Sequence, residues 1–290
     1  MDKVHKFYTK DLALRVSAAV TTGTVHKMCS TQKTFPLVSI SLGRAITGAI
    51  LMASQLREGQ RIGVHFKGDG PIGSLFAESN FEGEARGYCY QGQADLPLKN
   101  GKLDISGGIG NGLLTVTRSQ PFQKEPHQGI VPIVSGEIGQ DLAYYLFQSH
   151  QIPSVISLAV YLDGDGSVLA AGGVLVEVMP GSDDALISAL EARSSVAPSL
   201  SKQLMAGDSP EELARSYVHD SPLIPVEHPH NISYSCRCSR ERLDRTLLLT
   251  GRASIAELVL KGAEVPATCQ FCGRNYSVSV DELRGLLETL

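Results

Sequence analysis

The stretches Cys236-Arg237-Cys238-Ser239-Arg240-Glu241-Arg242 and Cys269-Gln270-Phe271-Cys272-Gly273-Arg274 hold four of the chain's six cysteines, with thirty residues, Ser239 to Thr268, between the pairs. Four soft thiolates in two close pairs are the donor set that tetrahedral Zn²⁺ prefers, and zinc changes no oxidation state of its own. Gly273 is placed to take the left-handed turn that wraps backbone around a metal. Between the pairs, Ser239 starts a helix that should stop at Gly251, and Ser254-x-x-Glu257 should cap a second that stops at Gly262. A helical hairpin would then bring the pairs together. Cys236, Cys238, Cys269 and Cys272 are the expected ligands of one Zn²⁺ ion, held in the reduced state.

Asn231 to Leu290 is about sixty residues, too few to bury a comfortable core without a staple. Zinc–thiolate binding supplies on the order of 10–16 kcal/mol in small peptides, which makes folding and metal occupancy one equilibrium. An oxidant that turns the thiolates into disulfides therefore removes the ligands and the fold together. Arg237, Arg240, Arg242 and Arg245 crowd the first pair, where cations favour thiolate over thiol. Two residues of strand span ~6.6 Å, so a Cys236–Cys238 disulfide would need a bent backbone, whereas Cys269–Cys272 would fit a turn. On these residues alone a quiet structural zinc ribbon and a redox switch both stay open.

Outward from the cysteines, 290 residues at roughly 150 per domain predict two domains, and 42% hydrophobic against 19% charged residues predicts ordinary cores. A net charge of −4 gives no excess to hold a polyanion. The longest nearly uninterrupted apolar run, Ala45 to Ala53, is well short of the ~20 residues that cross a bilayer, and Met1-Asp2-Lys3-Val4-His5-Lys6 leads into mixed polar sequence. The expectation is a cytoplasmic chain with no membrane partner, whose clustered thiols serve metal or redox chemistry.

Residues 1–180 predict an N-terminal α+β domain, a mixed β-sheet with helices. Leu12 to Gln32 reads as strand, through Leu14-Arg15-Val16-Ser17-Ala18 and then threonine and valine enrichment. Leu42 to Leu56 has helical apolar spacing, and Ile62 to Gln91 reads as three strands turning at Gly68–Pro71 and Asn80–Gly83. Leu113–Arg118 resumes a strand, and a helix follows from Gly136 to Ser149 with Ser135 as its N-cap. Val155–Leu162 and Ser167–Val178 form a hairpin over Asp163-Gly164-Asp165-Gly166. Residues 181–230 hold three short helices, the last opened by Ser209-Pro210-Glu211-Glu212, and then a proline-rich extended linker from Ser221 to His230. Residues 231–290 are expected to be a small C-terminal four-cysteine, zinc-binding domain, the one that would carry a redox switch if the cysteines serve as one.

The cysteine spacing, with Cys238-Ser239-Arg240-Glu241-Arg242 and Cys272-Gly273-Arg274, closely resembles the redox-regulated bacterial heat-shock chaperones of the 33 kDa chaperonin family. Gly68-x-Gly70-Pro71-Ile72-Gly73, Ser135-Gly136-Glu137-Ile138 and Gly166-Ser167-Val168-Leu169-Ala170-Ala171-Gly172-Gly173 look like that family's first-domain motifs. The resemblance extends over nearly the whole chain. It implies an ATP-independent holdase that binds unfolding client proteins under oxidative or heat stress and is not an enzyme. It implies that the reduced, zinc-bound monomer is inactive, that oxidation pairs Cys236 with Cys238 and Cys269 with Cys272, and that zinc then leaves and the protein dimerises. Client-binding positions carry no motif of this kind.

Other features read more plainly. Gly68 to Gly73 fits a dinucleotide fingerprint on paper, but Ser74-Leu75-Phe76-Ala77-Glu78 alternates like a strand where that site needs a helix. His228 and His230 read as linker histidines beside an already complete set of four thiolates. Cys29 and Cys89 read as ordinary buried or half-buried thiols. Glu137 and Asp141 read as a solvated helix face. One rival reading is a zinc-ribbon nucleic-acid binder, although Asn231–Leu290 has eight basic and seven acidic residues, a net of only +1. Another is a thiol oxidoreductase using Cys269-x-x-Cys272.

Overall fold

Strands β1 (Lys3–Thr9) and β2 (Leu14–Val20) open the chain as an antiparallel pair. The computed structural model describes residues 1–290 except Lys124, Asp183, His219, Asp220, Glu227 and His228. The chain divides into two units, Met1–Ser235 and Cys236–Leu290.

The stretch after β2 is helix, not strand: α1 spans Thr22–Gln32. Its β-branched residues argue locally for extended backbone, but Asp2 overrides them from twenty residues away. The Asp2 carboxylate accepts hydrogen bonds from the amides of Gly23 (3.0 Å) and Thr24 (2.5 Å), two of the free donors of the first turn. Helix α2 (Pro36–Ala53) starts before the expected Leu42 because Pro36 occupies its first turn after an extended Phe35. It is apolar on every side and nearly all buried, as a helix enclosed by protein must be. Among the described residues it is the one helix long and apolar enough to cross a membrane, and here it fills the core.

Strands β3 (Arg61–Gly68), β4 (Ser74–Asn80) and β5 (Glu84–Cys89) form the expected antiparallel meander. The glycines of the first turn serve backbone contact. The Gly70 amide donates to Ile109 O at 3.0 Å and the Ile72 amide to Gly108 O at 3.1 Å, within and beside the short helix α3 (Ile105–Ile109). A Cβ on Gly68 would stand 1.9 Å from Ile109 O. That packing and the strand that follows leave no helix N-terminus for a pyrophosphate.

Strand β6 (Gly112–Ser119) pairs with β3, and β7 (His127–Pro132), which local patterning did not reveal, pairs with β6. Helix α4 spans Ile138–His150 with Glu137 at its N-cap, displacing Ser135 from that role. Asp141 explains the shift and corrects the reading of a solvated face. It is fully buried, and its Oδ1 accepts from the amides of Val134 and Ser135 at 3.0 and 2.9 Å. Glu137 is held by Arg44 at 2.6 Å. Strands β8 (Ser154–Leu162) and β9 (Val168–Val178) form the expected hairpin. Three short helices follow, α5 (Asp184–Val196), α6 (Leu200–Ala206) and α7 (Pro210–Arg215), the last with the Ser209–Glu212 capping box. The described parts of the proline-rich stretch are anchored: β10 (Leu223–Pro225) and β11 (His230–Asn231) pair with β1, and β12 (Ser233–Tyr234) pairs with β5.

Two sheets result, β10-β1-β2-β9-β8 with β11 also on β1, and β12-β5-β4-β3-β6-β7. Alternation along the strands sets the layers. Leu175 of β9 joins Leu42, Ile46 and Ile50 of α2 and Phe66, Leu75 and Leu114 of the second sheet in the main core. Val174, Val176 and Val178 face the other way, against Leu190, Leu200 and Leu213 of the short helices. The first unit is therefore helices, sheet, central helix and sheet in successive layers, an α+β fold as expected.

The second unit contains α8 (Arg240–Leu249), α9 (Arg252–Lys261), the hairpin β13 (Val265–Thr268) and β14 (Asn275–Val278), and α10 (Val280–Glu288). Ser254 does not cap α9. That helix begins after Gly251, and the Ser254 hydroxyl, already within it, donates back to Thr250 O at the end of α8. Three side chains, Ile255, Val278 and Leu283, are its buried core.

Candidate metal centre

Each cysteine pair is set by local chemistry. Cys236 and Cys238 precede α8, whose N-cap Ser239 accepts from the Arg242 amide. Cys269 and Cys272 sit in the loop of the β13–β14 hairpin. The Cys269 amide donates to Arg274 O at 2.9 Å and the Gly273 amide to Cys269 O at 2.8 Å. Gly273 has φ +68°, the left-handed turn expected of it.

The four sulfurs converge. Cys236 Sγ lies 3.6 Å from Cys269 Sγ, Cys238 Sγ lies 3.4 Å from Cys272 Sγ, and all four atoms are within 4.8 Å of one another. A tetrahedral zinc with Zn–S near 2.3 Å requires sulfur–sulfur edges of about 3.8 Å. The donor set and its spacing thus fit Zn²⁺, and all four expected ligands are brought to one point.

Tyr276, which the spacing of cysteines did not reveal, completes the cluster. Its phenol donates to Cys238 Sγ at 3.1 Å from β14. Burial pulls the Cys238 thiol upward, but the donations from Tyr276 and the neighbouring thiols outweigh it and bring the pKa down to about 7. Cys236 is pushed up to about 12, first by burial and then by its thiol neighbours. Cys272 is also raised, chiefly by burial. Of Cys236, Cys238 and Cys272, it is Cys238 that takes negative charge first in the metal-free reduced cluster.

The comparisons with known proteins follow the same residues. The family model described as Hsp33 protein matches residues 2–279. The chain belongs to the Hsp33 family. The 33 kDa chaperonin of Geobacter sulfurreducens is 38% identical over 290 residues, covering 100% of this chain and 96% of that protein. That of Bacillus subtilis is 35% identical over 288 residues, covering 99% and 98%. The crystal structure of the 33 kDa chaperonin from Thermotoga maritima superposes with a TM-score of 0.88 at 31% identity, covering 99% of this chain and 98% of that one.

The remaining thiols of this Hsp33 chain belong to the first unit. Cys29 is buried and Cys89 half-buried in the first unit, and burial raises both, Cys89 to about 11. His230, in the first unit, contacts Phe81 O at 3.3 Å and the Phe81 ring. His228 lies outside the described residues. The arginine patch beside the first pair is partly spent on structure. Arg240 pairs with Asp244 at 3.1 Å and Glu282 at 2.9 Å and donates to Ser277 O, which ties α8 to β14 and α10.

Proposed function

We propose that this protein is an ATP-independent holdase of the cytoplasm, inactive as a reduced, zinc-bound monomer and activated by oxidation. The observation that carries the reading is the meeting of four thiols in a unit whose buried core is three side chains. Membership of a family whose relatives are named 33 kDa chaperonins supplies the chaperone role.

Cys236, Cys238, Cys269 and Cys272 would hold the zinc, which when bound ties the two arms of the unit together and screens four thiolates from one another. The chain's own chemistry is thiol chemistry. Peroxide converts a thiolate to sulfenic acid and leaves as water. The neighbouring thiol displaces a second water and the S–S bond forms.

Which thiols pair decides the consequence. Disulfides across the arms, Cys236 to Cys269 or Cys238 to Cys272, would staple them as the metal does. Disulfides within the arms, Cys236–Cys238 and Cys269–Cys272, consume the ligands and leave nothing across. The family resemblance implies the within-arm pairs, although the sulfurs at 3.6 and 3.4 Å face each other across the arms. We carry the within-arm pairs to the switch because they would unfasten a unit with so small a core. Unfolding then uncovers apolar surface, which binds the exposed apolar surface of unfolding clients without a sequence match, and oxidised protomers dimerise.

The test is light scattering from a heat-unfolding client, with this protein added either reduced and zinc-loaded or peroxide-treated and zinc-free. Suppression by the oxidised form alone is expected. Failure of a confirmed zinc-free oxidised form would leave the unit a structural zinc ribbon. Peptide mapping of the oxidised protein should show only within-arm disulfides, and cross-arm linkage would refute the unfastening step.

A further inference from the structure

We propose that the cleft between the two sheets of the first unit binds a small organic anion, a carboxylate or phosphate group joined to an apolar body. Its lining residues all belong to the first unit, whereas the four clustered cysteines belong to the second. The cleft encloses about 590 Å³, within the size range of small-molecule sites. Both sheets, the end of α2 and the end of α4 contribute to its wall.

One part of that wall is apolar: Leu56, Ile62, Leu146 and Leu175 are buried core residues that also line the cleft. The polar part carries a charge imbalance. Glu177 is the one carboxylate among the lining residues, and it is spent on Arg15 through two contacts of 2.9 Å, Nε to Oε2 and Nη2 to Oε1. Arg118 has no carboxylate partner among the described residues. Its Nη2 donates to Gln60 Oε1 at 2.8 Å, a neutral oxygen already accepting from the Arg57 amide at 2.9 Å. Its Nε is buried and has no hydrogen-bond partner among the described residues.

Arg118 is a half-buried guanidinium on the cleft wall whose charge no carboxylate among the described residues answers, and an anion in the cleft would answer it. His127, His150 and Tyr145, also in the lining, add hydrogen-bonding groups on the α4 and β7 side, with Tyr145 Oη 3.3 Å from His150 Nε2. A bare inorganic ion would answer the charge but leave the apolar wall and most of the volume unused. An anion with a hydrocarbon or aromatic body uses both.

The experiment titrates the full-length, reduced, zinc-loaded protein with octanoate, phenyl phosphate, inorganic phosphate and 1-octanol. The readouts are methyl NMR and the thermal midpoint, because a ligand of the folded state raises that midpoint. Octanoate or phenyl phosphate should shift the Ile62, Leu146 and Leu175 methyls, and octanol should bind at least about tenfold more weakly. Binding of octanoate alone assigns a carboxylate, and binding of phenyl phosphate alone assigns a phosphate ester. Arg118→Gln should weaken binding by about tenfold while Arg118→Lys keeps most of it. If Arg118→Gln does not fold, the octanoate-to-octanol ratio in the unmodified protein decides. The proposal fails if octanol matches both organic anions, if inorganic phosphate binds as tightly as they do, if shifts fall only on methyls away from the cleft, or if nothing binds.

Discussion

Tyr276 donates its phenolic hydrogen to Cys238 Sγ at 3.1 Å, linking the strand that leaves the second cysteine pair to the arm that carries the first. Groups that hydrogen-bond a metal ligand orient it and tune its donor strength, and losing one typically costs 10–100-fold in metal affinity. Tyr276→Phe keeps the ring and deletes only the donor, so zinc affinity should fall by about tenfold with the unit still folded. Competition against a chromophoric chelator measures this, and an unchanged affinity would show that the contact is incidental.

Replacing Cys269 and Cys272 together with serine should abolish tight zinc binding and loosen the second unit even under reducing conditions. Ile255, Val278 and Leu283, with the partly buried leucines and valines packed on them, make too small a core to offset the ordering of 55 residues, Cys236 to Leu290. Hydrogen exchange separates the units: amides of α9 and α10 should exchange fast in the variant, while those of α2 stay protected. Retained protection in α9 with zinc absent would mean that the apolar core suffices.

The cysteine cluster was legible because few arrangements of four close thiols make chemical sense, and the β8–β9 hairpin because Asp163-Gly164-Asp165-Gly166 dictates a turn locally. The illegible parts depend on distant partners. Helix α1 reads as strand until Asp2 is placed on its first turn. Asp141 reads as a surface carboxylate until the amides of Val134 and Ser135 fold back onto it. Tyr276 becomes part of the site only through the β13–β14 register, which sets it opposite Ala267 near the cysteine loop. The α10 capping box, Ser279 to Glu282, was legible in principle, since it follows the same rule as Ser209 to Glu212.

Gly43 shows how tightly α2 is held. A Cβ there would stand 2.7 Å from Val25 Cγ1 and 2.9 Å from Val160 Cγ2. Alanine favours helix over glycine by roughly 1 kcal/mol, but both neighbours are β-branched, buried or nearly so, and unable to swing aside. Overpacking of this kind costs about 1–3 kcal/mol, so Gly43→Ala should destabilise the first unit by about 1 kcal/mol net. A urea melt that rises instead would show that the packing around α2 has slack.

Cys89 tests where the sensor lies and carries a pH signature of its own. Burial against Ile72 O raises its thiol from an ordinary 9.0 to about 11, with the Gln91 amide opposing weakly. A thiol in this state reacts slowly with peroxide, since the thiolate is the nucleophile, so Cys89→Ser should leave activation by oxidant intact. The same shift acts on stability. The unfolded chain gives up this proton from about pH 9 upward while the folded chain resists until about pH 11, so the contribution is whole below 9 and is lost as pH rises through 11. Its size is on the order of 2 kcal/mol. Urea midpoints taken near pH 8 and near pH 10.5 should fall further in the unmodified protein than in Cys89→Ser, because only the former must keep a buried thiol protonated. Equal falls would mean that Cys89 ionises freely in the folded state, and a variant deaf to peroxide would move the sensor from the four-thiol cluster to this strand.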